Sequence, residues 1–190
     1  MNAMTDIERP ATVNGINVGA VLNLVEDVAG DKAKGMTTWR VTTRWQGQTC
    51  SSTKVERYAL GGRAIDRDFT IDIDEPLELG GANRFANPQE YLMAALNGCM
   101  TVGYAAQCAL RGIRLDHLEI VTEGDIDLRG FLGLSEEVVP GYKQLSYTVR
   151  IGGDATEAEF AEVHAAVIAT SPNFYNIANA VKLNPTLVVE

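Results

Sequence analysis

Histidine is almost missing from this sequence. There are two in 190 residues, His117 and His164, and neither stands in a metal-ligand spacing pattern, so no metal site and no bound cofactor are expected. Cysteine is scarce as well. Cys50, Cys99 and Cys108 are an odd number without framework spacing, which argues against a disulfide-stapled fold and suits a reducing compartment. Cys99 and Cys108 lie nine residues apart in one helical stretch. At ~100° and ~1.5 Å per residue they point to opposite faces roughly 13 Å apart, too far to bridge. Positive charge is also in deficit: 16 Lys and Arg face 25 Asp and Glu, a net −9. Nucleic acid and anionic membrane are therefore poor partners. The opening ten residues lack a basic segment followed by an apolar core, so no signal peptide is expected, and the chain reads as soluble and cytoplasmic. No internal repeat or low-complexity segment appears.

What the sequence does have is one long uncharged stretch, Asn87 to Gly112. Asn87-Pro88 supplies a cap residue and a proline suited to the first helical position. Glu90 places negative charge in the first turn, where the helix dipole favours it. No charge follows from Tyr91 to Leu110, and Arg111-Gly112 closes the segment with a cation and a C-cap glycine. The run is long enough to cross a bilayer. Its interspersed Asn97, Gly98, Thr101, Gly103 and Gln107, with alanines in place of leucines, favour instead a helix buried on all sides in a protein core.

Around it the pattern is α+β. Ala11 to Gly30 has helical periodicity and Gly30 to Gly35 reads as a linker, which sets residues 1–35 apart as an arm from a main domain at 36–190. Met36 to Trp45 and Gln48 to Tyr58 read as a hairpin about Gln46-Gly47. Asp66 to Ile73 follows the Gly61-Gly62 turn and stops at Asp74-Glu75-Pro76. After the central helix, Ile113 to Asp127 and Lys143 to Gly152 read as strands separated by a glycine-rich loop. Thr156 to Thr170 is a helix with a capping box, Ser171-Pro172 opens a short helix, and Leu183 to Val189 is expected to close the fold as a strand.

One combination of motifs is specific. An Asn-Pro-x-Glu-x-Leu helix start, Gly-Cys nine residues after the Glu, Gly-Asp-x-Asp-x-Arg-Gly and a Ser-Pro helix occur in that order. The sequence resembles the OsmC/Ohr family of thiol peroxidases, in its OsmC-like branch, over residues 36–190. The resemblance implies antiparallel sheets wrapped around a long central helix in an intertwined homodimer, with sites at the dimer interface. It also implies that a helix cysteine attacks an organic hydroperoxide, that a second cysteine resolves the sulfenic acid, and that an arginine paired with the motif glutamate activates the first thiol. Carried onto this chain, Cys99 takes the peroxidatic position, Glu90 the motif glutamate, and Arg84 in the preceding loop the arginine. The resolving cysteine belongs where Ser171 stands. A serine cannot close that disulfide.

On the residues alone, a cysteine among alanines is a small core side chain, Glu90 a first-turn charge and Ser171 an N-cap. Asp125, Asp127 and Arg129 read as a solvated or structural ion-pair group. Trp39, Trp45, Phe69, Tyr91 and Tyr104 read as core or dimer packing. A thiol reacts as thiolate, and Cys99 sits too far along its helix to gain from the dipole, so it needs a cation from elsewhere; Arg84 is the candidate. Glu90 would orient that arginine by a bidentate pair. Two functions follow. One is a single-cysteine peroxidase acting on small apolar hydroperoxides and recycled by an external thiol. The other is a non-catalytic protein of the same fold that binds an apolar ligand or senses oxidation.

Overall fold

The long helix forms as its caps dictate. In the computed structural model, which describes residues 12–190, it runs from Pro88 to Arg111. Asn87 accepts from the Glu90 N–H at 2.9 Å while the Glu90 carboxylate accepts from the Asn87 N–H at 2.7 Å, a reciprocal box that satisfies two orphan donors. The first eleven residues of the expected N-terminal arm lie outside the described residues.

The elements in order are β1 (Thr12–Val13), β2 (Ile16–Asn17), α1 (Val18–Gly30), β3 (Thr37–Trp39), β4 (Thr42–Trp45), β5 (Ser51–Leu60), β6 (Arg63–Ile73), α2 (Pro88–Arg111), β7 (Leu115–Glu123), α3 (Leu128–Phe131), β8 (Ser146–Gly153), α4 (Glu157–Thr170) and α5 (Pro172–Ala178). Every strand pair in the β3–β6 and β7–β8 sheets is antiparallel. The class is mixed α+β, as expected. The chain divides into two compact units. One is Asn17–Ala94; the other is Ala95–Glu190 together with the described residues before Asn17.

In the first unit, β5 is the central strand. It pairs with β6 along one edge and with β3 and β4, end to end, along the other. The single strand expected over Met36 to Trp45 is thus two, broken at Arg40-Val41. Gly61 and Gly62 make the β5–β6 turn at φ +55° and +78°, the left-handed conformation that hairpin turns of this length require. Strand alternation gives the sheet one apolar side, where Trp39 stacks on Tyr58 at 4.8 Å and the Arg67 guanidinium lies 4.6 Å from the Phe69 ring centre. Trp45 nevertheless stays 76% exposed. Ahead of the sheet, the helix expected to begin at Ala11 begins at Val18. Asn14-Gly15, both with positive φ, turn the preceding residues into a two-strand hairpin. The expected linker contains a 3-10 turn, Lys32–Gly35.

In the second unit the core is a stripe of α2 set against α4. Leu96, Met100, Tyr104 and Cys108, spaced four apart on one helix face, pack with Val163, Val167 and Ile113; side chains of β7 and β8 complete the cluster. Helix α2 is therefore buried on one face within the chain, not on all sides: Val102, on another face, is 69% exposed. The mismatch has a simple origin. A helix of small residues carries little amphipathic signal, so its periodicity does not say which faces are covered. Asn97 ties α2 to β7, donating to the Ile120 carbonyl at 3.2 Å and accepting from the Thr122 hydroxyl at 2.6 Å. The capping box of α4, Thr156 with Glu159, forms as expected. The closing strand does not. Residues 179–190 adopt no regular structure, and Leu183, Leu187, Val188 and Val189 are all largely exposed. The β-branched Val188 and Val189 favour extension, but a strand needs an edge to pair with, and no described strand of this chain pairs with this segment.

Candidate functional site

Ser171 links two helices. It ends α4 and caps α5: its N–H donates to the Val167 carbonyl at 2.9 Å, and its hydroxyl accepts from the Phe174 N–H at 3.4 Å, with Pro172 in the first helical position. The same hydroxyl donates to Cys99 Sγ at 3.3 Å. Ser171 is 6% exposed, whereas Cys99 is only half-buried. A second bond, from Asn173 Nδ2 to the Ala95 carbonyl at 2.8 Å, holds α5 against α2 one turn before the cysteine. The two positions that the family motif singles out are thus adjacent in space although 72 residues apart in sequence.

An apolar cavity of about 350 Å³ is walled by Leu96, Leu145, Tyr147, Phe174, Ile177 and Ala178; Phe174, whose N–H donates to Ser171, is one wall, while Cys99 and Ser171 do not line it. Phe174 meets Tyr147 edge-on, ring centres 6.3 Å apart. A cavity of this size and lining admits a small apolar molecule. The other thiols are placed differently. Cys108 is fully buried in the core and burial pushes its thiol up, against the opposing effect of Arg111, which makes it an inert packing group. Cys50 is buried just ahead of β5. All three cysteines are free.

Arg84 and Glu90 both lie in the first unit, and they are not paired with each other as the resemblance implied. Glu90 uses its carboxylate to cap α2. Arg84 turns to Asp74, Nε to Oδ2 at 3.7 Å, with its side chain about half exposed. Asp74 is a wholly buried carboxylate that accepts from the Thr49 hydroxyl at 2.8 Å and from the N–H groups of Glu75 (2.9 Å), Ala82 (3.2 Å) and Arg84 (3.2 Å). Burial pushes its pKa up, but these four donors together outweigh burial and hold it at about 2. Asp74 thereby fixes the loop that presents Arg84. Gly81 is obligatory there, since a Cβ would stand 1.8 Å from the Glu75 carbonyl oxygen.

Asp127 and Arg129 form the ion pair that their spacing suggested. The guanidinium holds the carboxyl down at about 2, and the carboxylate also caps α3, so the pair is a structural one. His164, which looked isolated in the sequence, is hydrogen-bonded through Nδ1 to the buried Tyr104 hydroxyl. Among the described residues there is no cluster of His, Cys, Asp and Glu able to hold a metal, and no helix long and apolar enough to cross a membrane.

Antiparallel sheets, a capped central helix bearing a thiol, and a second helix opening against that thiol define a class of thiol-bearing α+β proteins. A family model described as OsmC-like protein matches residues 80–186, more than half the chain, and the chain belongs to that family. Solved structures agree in fold. An OsmC-like protein from Mycoplasma pneumoniae is similar at a TM-score of 0.59 and 14% identity, over 75% of this chain and 89% of that one. An OsmC-like protein of unknown function from Vibrio cholerae gives 0.55 and 11%, over 73% and 92%. No match is found among curated protein sequences.

Proposed function

We propose that this chain is a thiol-dependent peroxidase that reduces small apolar organic hydroperoxides through Cys99. The observation that carries the reading is the Ser171 hydroxyl aimed at the Sγ of a half-buried Cys99. The Cys99 thiolate attacks the distal peroxide oxygen; the O–O bond breaks, an alkoxide leaves and takes up a proton as the alcohol, and Cys99 becomes a sulfenic acid. The role of Arg84 is to bring positive charge to the thiolate and to the departing oxygen, with Asp74 holding its loop and Glu90 securing the start of α2. Ser171 stands where a resolving thiol would serve and can only hydrogen-bond the oxidised sulfur. An external thiol therefore attacks the sulfenic acid with loss of water, and a second external thiol releases Cys99 and leaves as a disulfide. The functional unit is a homodimer, consistent with apolar side chains such as Trp45 and Leu187 that this chain leaves uncovered.

The decisive experiment treats reduced protein with one equivalent of cumene hydroperoxide and a sulfenic-acid trap, and reads the adduct by peptide mass spectrometry. Fast trapping at Cys99, lost in Arg84→Ala, is expected. Labelling at Cys99 no faster than at Cys50 and Cys108 would overturn the reading. A second reading rests on the same serine: with no thiol in place to resolve it, oxidised Cys99 persists, as a sensor of oxidation requires. Trapping at Cys99 without turnover in the presence of dithiols would select that reading.

A further inference from the structure

A second cavity in the unit Ala95–Glu190 shares one wall residue, Tyr147, with the first and is lined by neither Cys99 nor Ser171. It is a groove of about 550 Å³ between β8 and α4, with the Tyr104 ring at its floor. Its walls are apolar and aromatic, from Tyr147, Val149 and Ile151 on β8 and Phe160 on α4. The exposed Glu157 also lines it, on the same face of α4 as Phe160 and His164 because the spacings are three and seven residues.

The polar groups in the groove are specific in kind. The Tyr104 side chain is 1% exposed, and its hydroxyl is engaged with His164 Nδ1. Burial, aided by the neighbouring Tyr147, pushes the Tyr104 hydroxyl up to about 12, so the phenol stays protonated and uncharged. Tyr104 and His164 Nδ1 thus share one hydrogen bond at the floor of the groove, and the imidazole keeps its second nitrogen, Nε2, for another partner. Tyr147 and Thr148 add hydroxyls. The charge inventory decides the ligand. Among the described residues, Glu157 is the only acidic one lining the groove, and no Lys or Arg lines it. An anion would meet a carboxylate with no Lys or Arg to offset it. A cation would meet that carboxylate in a wall that includes the aromatic residues Tyr147 and Phe160, whose ring faces attract positive charge.

We propose that this groove is a binding site for amphipathic ammonium compounds: an aryl or alkyl group against Val149, Ile151 and Phe160, and the ammonium at Glu157. The site is independent of the peroxidase reading, and its test involves no turnover.

Phenethylammonium chloride and its anionic counterpart 3-phenylpropionate would be titrated into the full-length reduced protein, followed by imidazole proton resonances. Only two histidines exist, and His117 lies outside the groove, so it serves as an internal control. Saturable shifts at His164 alone are expected for the ammonium, with the carboxylate weaker by about tenfold or more. Glu157→Gln should weaken the ammonium by a similar factor. Glu162→Gln, an exposed charge on the same helix that does not line the groove, should leave it unchanged. Equal binding of the two probes, an unaffected Glu157→Gln variant, or shifts at both histidines alike would each overturn the proposal.

Discussion

At the residue scale, Ser171 and Asp74 have the sharpest consequences. Because the Ser171 hydroxyl already touches Cys99 Sγ, a thiol in its place is positioned to condense with an oxidised Cys99. Ser171→Cys is therefore expected to convert hydroperoxide treatment from a trappable sulfenic acid into a disulfide between Cys99 and the introduced thiol, formed with loss of water. Peptide mapping under non-reducing conditions reads the outcome, and continued sulfenic-acid labelling at the wild-type level would contradict it. For Asp74 the expectation concerns acid. Its folded pKa of about 2 lies below the ordinary 3.8, so its contribution to stability is complete above about pH 4 and is lost as the pH falls through about 2. Wild-type Tm should fall more steeply over that window than that of Asp74→Asn, which should already melt lower at neutral pH because it leaves buried donors poorly matched. Parallel Tm-versus-pH curves for the two proteins would show that Asp74 is not responsible.

At the scale of elements, local signals and distant ones fared differently. The caps at Asn87, Thr156 and Ser171 were legible because each joins residues three apart, written side by side in the chain. The turn at Gly61-Gly62 was legible for the same reason. Asp74 was read only as a strand stop, since its partners at 49, 82 and 84 converge on it through loops that no periodicity describes. His164 looked isolated because Tyr104 is 60 residues away. The family resemblance implied that Ser171 stands against Cys99, where a resolving cysteine belongs; on the residues alone Ser171 was only an N-cap, because its reach to the sulfur depends on how α5 sits on α2. The one-sided burial of α2 makes a further prediction. Met100, with no exposed surface, sits amid the α2–α4 packing, so Met100→Ala should cost about 2–5 kcal/mol, whereas Val102→Ala should cost little in the isolated chain. Urea denaturation of the two variants compares them directly.

At the scale of the whole molecule, the described chain leaves much apolar surface bare. Trp39, Trp45 and Phe69 on the sheet, Val102 on the central helix, and the segment from Leu183 to Val189 are exposed to a degree unusual for a protein that remains alone in solution. The homodimer proposed above is the simplest answer, and sedimentation should find a species of about twice 20.5 kDa. A monomer at micromolar concentration would refute it.

The unpaired segment after α5 carries one more implication. If Leu183 to Val189 gains its sheet partner only from another chain, part of the folding free energy is borrowed from association. The molecule then has no single melting temperature: dilution alone should lower it, by mass action, with no change in solvent, sequence or redox state.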